Sequence, residues 1–556
     1  MMKRIKRFGE FLKAAIGSQW RGSECLRFAG SLVLGLLLMG SAEAWAGNWL
    51  TFGHDAQRTG WARNEDKLNT KNVAQMTLLW SEQLKNKPLS MTALTAPLVA
   101  SDVTTPEGVK TLVYVGGSSD HVFALDASTG HLVWSVSFKS DFLPKYPSMW
   151  LCPENLNATP TIDLRRGLIY VLASSGRLYG LDLGTGKTRF GPIQFVPPYS
   201  KDWSLNLVHG MVFTTISQGC AETPSGIYAM DVRHPMRPMI RELLLEKGFG
   251  AGVWGRGGVT AGEDGRIYAG TGDGTTDPAA GFFGSSVIAV NPSSLKIEDY
   301  YTPNDHHMLN RMDLDLGASS PAWFANGKYH LLAVGGKGGT LYLLNADKLG
   351  SADHETPLQT LRLSNDERAY EKYGIWGGFA TWRDAQGGTW LYVPVWGPIS
   401  KDAPKFPAQQ GPDPDGSLMA FKVGYRRPGS GADAGIPQPQ LEPEWISNDF
   451  NRPEPPVIAN GVVFGLSTGE NAVQTLGSAV IKVPGHYGKR GLTNAERMEH
   501  TTHAILYGLD ARTGKVLYSS GDAITSWVHF SGLAVANGHV YVVDHDSRIY
   551  CFGLKQ

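Results

Sequence analysis

Four acidic residues are the strongest candidates for chemistry, because each stands in a turn-rich stretch between hydrophobic segments. They are Glu222, Asp273, Asp313 and Asp315. A carboxyl group that is buried, or that lies beside other carboxylates, keeps a proton near neutral pH and can act as a general acid or base. Asp315 is the first candidate for such a proton shuttle, and Asp273 and Glu222 follow. Capping of a turn is the alternative role for each, since Asp commonly does this.

Two glycine-rich runs are candidate anion sites. They are Gly270–Gly274 and Gly335–Gly339, and the second carries Lys337. Successive backbone N–H groups in such runs can converge on an anion. Both runs are equally compatible with plain β-turns, and Lys337 with a solvated loop charge.

The cysteines indicate one disulfide and no metal or haem site. The chain has Cys25, Cys152, Cys220 and Cys551, with neither a CxxCH motif nor a zinc-type spacing. An exported protein is expected to pair two of the last three. Cys152 and Cys220 are about one repeat apart and are the predicted pair. Cys551 lies in a hydrophobic strand and is predicted to be buried and free.

The first 46 residues have the pattern of a secretory signal peptide. They hold seven basic residues, an apolar stretch from Phe28 to Met39, and Ala44-Trp45-Ala46 before Gly47. The apolar stretch is too short to span a membrane. The pattern predicts cleavage after Ala46 and a periplasmic or secreted protein with no stable membrane span.

Charge excludes one class of partner. The chain has 51 basic and 51 acidic residues, so no positive excess indicates nucleic-acid binding. Charged residues make up 18% of the chain, below the ~25% of typical domains. Sparse charge suits an exported protein of an acidophile, where carboxylates are protonated. It suits a β-rich protein with many glycine turns equally well.

A repeated strand pair sets the architecture. The motif ends near Asp or Asn before a turn, and its eight copies are HVFALDASTG, RLYGLDLGTG, GIYAMD, SVIAVNPSS, TLYLLNADKLG, SLMAFK, ILYGLDARTG and RIYCFG. A second short strand precedes each copy: TLVYVGG, GLIYVLAS, GMVFTTIS, GRIYAGTG, HLLAVGG, TWLYVPVW, GVVFGLST and GHVYVVDH. Eight such pairs predict an all-β, eight-bladed β-propeller of four-stranded blades. Two β-sandwiches are the alternative.

Residues 47–556 are predicted to form this single propeller. The C-terminal strand Arg548–Gly553 is expected to pair with a strand near Leu78–Glu82, which closes the ring and removes two sheet edges. Loop inserts are predicted near residues 401–443 and 475–503. Within the first, Lys401–Gly416 and Arg426–Pro443 are rich in Pro, Gly and Asp and are predicted to be loops. They would form either a lid over the channel or a surface excursion.

Several segments resemble the pyrroloquinoline quinone (PQQ) dehydrogenases. The stretch NWLTFGHDAQRTGWARNEDKLNTKNVAQMTLLW resembles the start of those proteins. ALDASTGHLVW and GLDARTGKVLY resemble their blade repeat, with Trp134 and Tyr518 at its docking position. The resemblance spans nearly all of residues 47–556. It implies the fold more strongly than the chemistry, since function resides in the site.

The resemblance also implies roles for individual residues. Trp254, in GVWGRGG, stands where the family has the Trp beneath its cofactor. Glu222, in SQGCAE, and Asp273, in YAGTGDG, stand at the calcium Glu and Asn. Lys337 stands at the Arg or Lys beside the quinone oxygens. An Asp in place of Asn remains acceptable to calcium, which prefers oxygen ligands.

Two departures argue against quinone chemistry. The family's adjacent cysteine pair is absent, with only Cys152 in MWLCPENLN. The catalytic Gly-Asp-Asn turn is also absent, with Ala280 and Gly281 at its place. Asp277 is three residues away and would substitute only in a rebuilt loop. These departures imply loss of the base that accepts the alcohol proton.

The main functional hypothesis follows from these losses. The chain resembles tetrathionate hydrolases, which are exported propellers similar to the quinone enzymes that do not use the quinone. A tetrathionate hydrolase would release thiosulfate, sulfur and sulfate and need no cofactor or metal. Arg256, Arg311 and Lys337, with Trp254, would bind the two sulfonate ends of this small anionic substrate.

Two alternatives belong to other classes. The first is a PQQ- and calcium-dependent alcohol dehydrogenase, with Glu222 and Asp273 as calcium ligands. The second is a non-catalytic propeller scaffold. A homo-oligomer is left open by the sequence.

Overall fold

The computed structural model describes residues 47–142, 152, 156–234, 236–246, 248–427, 435–471, 473, 475–476, 482–483, 486–487 and 490–555. The chain separates into two compact units, residues 1–46 and 47–556. The predicted signal peptide lies outside the described residues. Within the described residues, no helix combines the length and the apolar character that crossing a membrane requires.

Eight sheets, numbered here as blades 1 to 8 in chain order, form the second unit, and their strands pair antiparallel except for Ala408–Gln409, which pairs parallel with Gln438–Ile446. Blades 1 to 4 contain the following strands: Leu98–Thr105, Gly108–Gly117, His121–Asp126, Leu132–Ser137; Thr161–Asp163, Leu168–Leu172, Arg177–Asp182, Thr188–Gln194; Lys201–Asp202, Asn206–Val208, Met211–Ser217, Gly226–Asp231, Ile240–Leu244; Thr260–Ala261, Ile267–Gly270, Val287–Val290, Ile297–Tyr301.

Blades 5 to 8 contain the following strands: Ala322–Asn326, Tyr329–Gly335, Thr340–Asn345, Gln359–Arg362; Gly374–Ile375, Ala380–Arg383, Thr389–Trp396, Ala408–Gln409, Gly416–Arg426, Gln438–Ile446; Val457–Ala459, Val462–Ser467, Ile505–Asp510, Val516–Ser519; Ala534–Ala536, His539–Val543, Arg548–Gly553, Thr77–Gln83. This is the predicted eight-bladed all-β propeller, which is confirmed.

Several short elements of the described residues lie outside the eight sheets. Three short hairpins pair Thr276–Asp277 with Phe282–Phe283, Thr475–Leu476 with Arg490–Gly491, and Lys482–Val483 with His486–Tyr487. The helices are His306–Arg311 and Asn494–Met498, and the 3₁₀ turns are Val73–Gln75, Cys220–Glu222, Pro278–Ala280, Leu316–Ala318 and Gly521–Ala523.

The repeated motif explains how neighbouring blades dock. Trp134, in the outer strand of blade 1, donates its indole N–H to Leu183 O in the turn of blade 2, at 2.8 Å. A Cβ on Gly186 of that turn would lie 2.7 Å from the Trp134 ring, and Gly186 has φ +68°. Only glycine satisfies both the left-handed backbone and the close approach. The Asp-x-x-Thr-Gly turn is therefore the docking site for the aromatic ring of the preceding blade.

The ring closes as predicted. Thr77–Gln83 pairs antiparallel with Arg548–Gly553, so blade 8 combines the two ends of the propeller. The pairing removes one exposed edge from each segment. Trp80 extends the closure to blade 1, where its indole N–H donates to Ala127 O at 3.0 Å.

One loop prediction is wrong in part. Gln438–Pro443 was expected to be a loop but belongs to the strand Gln438–Ile446, which pairs with Gly416–Arg426. Pro439 and Pro443 are accommodated because this strand lies towards the edge of blade 6, and Pro443 adjoins a register shift in the pairing. Residues 428–434 of the proposed lid lie outside the described residues.

Candidate functional site

Three of the predicted carboxylates converge with Lys337. Asp273 follows the strand Ile267–Gly270 of blade 4, and Asp313 and Asp315 lie in the connection from blade 4 to blade 5. One carboxylate oxygen from each of the three lies within 4.8 Å of the others. Lys337 enters from the glycine-rich turn of blade 5. These four residues are called the acidic cluster below.

Direct contacts hold the acidic cluster together. Lys337 Nζ lies 2.6 Å from Asp315 Oδ2 and 2.7 Å from Asp313 Oδ1. The Asp273 backbone N–H donates to Asp315 Oδ1 at 2.6 Å. Gly272 permits this approach, because a Cβ there would lie 2.5 Å from Asp315 Oδ1. Asp315 is buried, whereas Asp273 and Asp313 are open to solvent.

The charges of the acidic cluster are unbalanced, with three carboxylates against one ammonium. Repulsion by Asp315, reinforced by burial, raises the pKa of Asp273 to about 8. Burial raises the pKa of Asp313 to about 6 against the opposing pull of Lys337. Burial opposes ionisation of Asp315, but Lys337 outweighs it and lowers the pKa below its usual range. Asp315 is thus the permanent anion, and the other two can exchange protons near neutral pH.

An aromatic cluster lies beside the carboxylates. Lys337 Nζ lies 5.2 Å from the centre of the Trp254 ring and 5.8 Å from that of Trp376. Trp376 meets Trp254 edge-on at 5.3 Å and stacks on Trp396 at 4.8 Å. Trp203 and Phe530 pack against the same group. The arrangement combines flat apolar faces with the ammonium group of Lys337.

Sequence reasoning missed Trp376 and Trp396. Each follows a β-branched residue and precedes a glycine, as Trp254 does, in Val253-Trp254-Gly255, Ile375-Trp376-Gly377 and Val395-Trp396-Gly397. This recurring triplet was the signal that could have identified all three rings. The glycines relieve crowding, since a Cβ on Gly255 would lie 2.4 Å from Ser320 N.

Three other predicted residues are not in the acidic cluster. Arg256 is buried over the rings of Trp203 and Phe530, at 5.1 and 4.6 Å. Arg311 is exposed at the end of the helix His306–Arg311, without an ion pair to any other described residue. Glu222 is exposed and contributes no oxygen to the three-carboxylate group found among the described residues. Arg256 and Lys337 thus contact rings of the same aromatic cluster, whereas Arg311 is exposed at a helix end.

The loop around Glu222 is nevertheless constrained. Cys220 forms a disulfide with Cys152, the pair expected from the sequence, and Cys551 is free and buried. Gln218, Ala221 and Glu222 have φ of 57°, 54° and 59°. Such left-handed conformations are costly for residues other than glycine and persist where surrounding contacts impose them.

The small hairpin of blade 4 carries no carboxylate at the positions of Ala280 and Gly281, which lie at its exposed tip. Asp277 accepts a hydrogen bond from Ala280 N and so caps that turn. Asp313, from the connection that follows this hairpin, supplies a solvent-accessible carboxylate beside Lys337. The predicted loss of the base stays a prediction, and Asp313 is the candidate to replace it.

The donor set fits a hard cation. Three carboxylates within 4.8 Å supply the oxygen ligands that Ca²⁺ prefers. A bound cation would also offset the excess negative charge that raises the pKa of Asp273 and Asp313. The Trp254 face and the Lys337 ammonium fit a flat, electron-accepting ligand with carbonyl oxygens.

Comparisons with known proteins identify related sequences and folds. The PQQ family described as "glucose/ethanol/alcohol dehydrogenase, beta-propeller domain" matches residues 49–193. The quinohemoprotein alcohol dehydrogenase of Comamonas testosteroni is 31% identical over 140 residues, which are 25% of this chain and 17% of that protein. Quinohemoprotein alcohol dehydrogenase ADH-IIG of Pseudomonas putida is 28% identical over 149 residues, 26% of this chain and 18% of that protein.

The likeness of the folds extends further than the likeness of the sequences. The crystal structure of the Comamonas testosteroni enzyme superposes with a TM-score of 0.57 and 14% identity, covering 94% of this chain and 82% of that one. The chain therefore has the β-propeller fold of that enzyme, and residues 49–193 resemble the PQQ family in sequence. The matched sequence spans less than one fifth of either relative. The comparisons agree better with the dehydrogenase alternative than with tetrathionate hydrolysis, to which they lend no support.

Proposed function

We propose that this protein is an oxidoreductase that oxidises a small alcohol with a bound quinone cofactor, PQQ, and a hard cation such as Ca²⁺. The observation that carries the proposal is the acidic cluster against Trp254. When bound, the quinone accepts the two electrons and the cation polarises its oxygens. The protein contributes binding, orientation and proton transfer.

Asp315 and Asp273 are the proposed cation ligands. Asp315 is ionised and held by Lys337 and by the Asp273 amide, so its carboxylate is preorganised. Asp273 gains most from a cation, because its pKa of about 8 reflects uncompensated repulsion. Glu222 would complete the site only if its loop turned inward.

Asp313 is the proposed general base. Its side chain is 52% exposed, and a pKa of about 6 leaves it mostly ionised at neutral pH. A base with a pKa near the working pH transfers protons efficiently. This role replaces that predicted for Asp315, because Asp315 is buried and its lowered pKa keeps it ionised.

Lys337 is proposed to orient the base and the cofactor. Two of its three N–H donors serve Asp315 and Asp313, which leaves one for a carbonyl oxygen of the quinone. Trp254 would provide the flat surface beneath that ligand.

The charges of the acidic cluster do not favour binding of an anionic substrate. Tetrathionate needs cations at both ends. Lys337 is neutralised by two carboxylates, Arg311 is exposed elsewhere, and Arg256 lies among Trp203 and Phe530. A neutral alcohol avoids repulsion by the carboxylates.

The test is reconstitution of the purified protein with PQQ and CaCl₂, followed by reduction of an artificial dye with a series of short alcohols. We expect alcohol-dependent dye reduction that requires both additions and is abolished by a calcium chelator. Absence of both quinone binding and dye reduction would refute the proposal. Thiosulfate release from tetrathionate by the same sample would favour the hydrolase instead.

A further inference from the structure

A second feature lies where the N-terminal segment crosses the ring. A small cavity is lined by residues from Trp49 to Gly60 and by residues that begin blades 5 to 8, among them Ser320, Phe379 and Gly532. Its space suits a ligand of about the size of a water molecule. None of its lining residues belongs to the acidic cluster.

Three hydrogen-bond donors around this cavity have no partner. They are the Trp49 indole N–H, the Arg58 Nε–H and the Ser320 hydroxyl, and all three atoms are buried. The indole and guanidinium groups can only donate. Unsatisfied buried polar atoms are rare and call for an explanation, such as an ion.

Arg58 is also a buried cation without a counter-charge. It is 3% exposed, and its terminal nitrogens donate to Thr51 Oγ1 at 2.7 Å, Phe52 O at 2.7 Å and Leu205 O at 3.0 Å. All three acceptors are neutral. Among the described residues no carboxylate lies within ion-pair distance of Arg58.

Asp55, whose charge affects the pKa of Arg58, already has other partners. Asp55 pairs with Arg63 Nη1 at 2.9 Å and accepts two hydrogen bonds from Thr59. Burial lowers the pKa of Arg58 to about 9, and Asp55 offsets this only in part. An uncompensated charge in the protein interior is costly, so a counter-ion at this point would stabilise the fold.

We propose that this cavity binds a small monovalent inorganic anion of the size of chloride, held by Arg58, Trp49 and Ser320. A water molecule would satisfy the donors only in part and would leave the charge of Arg58 unbalanced. The small size of the cavity, which Phe52, Phe379, Pro455 and Pro456 also line, suits an anion of this size. The anion would link the N-terminal segment to blades 5 to 8 and so stabilise the closed ring.

The first test uses bromide as the probe. Crystals of the full-length protein grown in sodium bromide should show an anomalous peak between Arg58 and Ser320. In solution, replacing sodium gluconate by sodium bromide or chloride at constant ionic strength should raise the Tm by about 2 °C, as expected for a ligand that binds only the folded state. Neither readout depends on PQQ, calcium or turnover.

Variants separate the site from general salt effects. Arg58→Gln and Ser320→Ala should abolish or weaken both the peak and the halide response. Lys71→Gln, which alters an exposed lysine of the same segment, should leave both unchanged. Density without an anomalous signal, equal Tm values in gluconate and halide, or an undiminished response in Ser320→Ala would overturn the proposal even where Arg58→Gln fails to fold.

Discussion

Two groups of ionisable residues near the same ring of blades differ in how their charges are balanced. The acidic cluster sets three carboxylates against Lys337 and leaves two of them open to solvent. The other group, the buried ion network, consists of Glu470, Arg497 and His529. Glu470 and Arg497 have 1% exposed side chains and form a direct ion pair. His529 Nδ1 lies 2.7 Å from Glu470 Oε1.

The protonation states of the buried ion network and the acidic cluster therefore differ. Burial opposes the ionisation of Glu470, but His529 and Arg497 outweigh it and lower its pKa to about 2. Burial lowers the pKa of His529 to about 4, so it stays neutral and the network is one anion with one cation. Asp273, repelled by Asp315, has a pKa of about 8 instead. Balanced charges hold a structure together, whereas unbalanced ones are available for ligands and protons.

The buried ion network also holds part of the insert near residues 475–503 in place. Arg497 comes from the helix Asn494–Met498 and reaches the core, where it lies 4.6 Å from the Trp527 ring and donates to Ser90 O at 2.9 Å. The C-terminal part of the predicted loop insert is therefore anchored in the propeller.

The largest effect is expected from removing the proposed base. Asp313→Asn should lower kcat of the reconstituted enzyme by roughly 10²–10⁴-fold, because a general base commonly contributes that much. Asp277→Asn is the matched control, since Asp277 is an exposed carboxylate that only caps a turn. The measurement is dye reduction at saturating alcohol. Full activity in Asp313→Asn would exclude this residue as the base.

The second effect concerns stability rather than turnover. Glu470→Gln should lower the free energy of unfolding by about 3 kcal/mol or more, because it leaves Arg497 as an unpaired buried cation. Glu499→Gln, on an exposed side chain near the same helix, should change it little. Chemical denaturation measures both. Equal stability of the two variants would show that the network is not the anchor we describe.

The smallest predicted effect is a pH dependence of calcium affinity, which should depend on the acidic cluster and not on the buried ion network. Calcium must displace the proton of its ligand Asp273, so its affinity should rise between pH 6 and pH 8, by up to ~10-fold per pH unit. Titration calorimetry in buffers of different ionisation enthalpy measures the proton release. Glu470→Gln should retain this dependence, whereas Asp273→Asn should weaken it. A pH-independent affinity in the unaltered protein would contradict the raised pKa of Asp273.

The strand repeats and the closing strand were predictable because their signals are local. Asp-x-x-Thr-Gly turns such as Asp182–Gly186 appear within a few residues of the strands they connect. The site was predicted less completely. Asp273, Asp315, Lys337 and Trp254 were identified and do come together. Asp313 was among the acidic residues identified, but its place beside Lys337 could not be predicted, because it comes from the connection that follows the loop where the base was expected.

The sequence by itself determined the number of blades, the turns between their strands and the pairing of the chain ends, because alternating hydrophobic strands and glycine turns act over short distances. Only the tertiary structure decided which charges meet. Lys337 and Asp273 come from different blades, and Arg497 reaches Glu470 across 27 positions of the chain. Ion pairing and pKa depend on distances of a few ångströms and on exclusion of water, and both arise only when the blades pack into a ring.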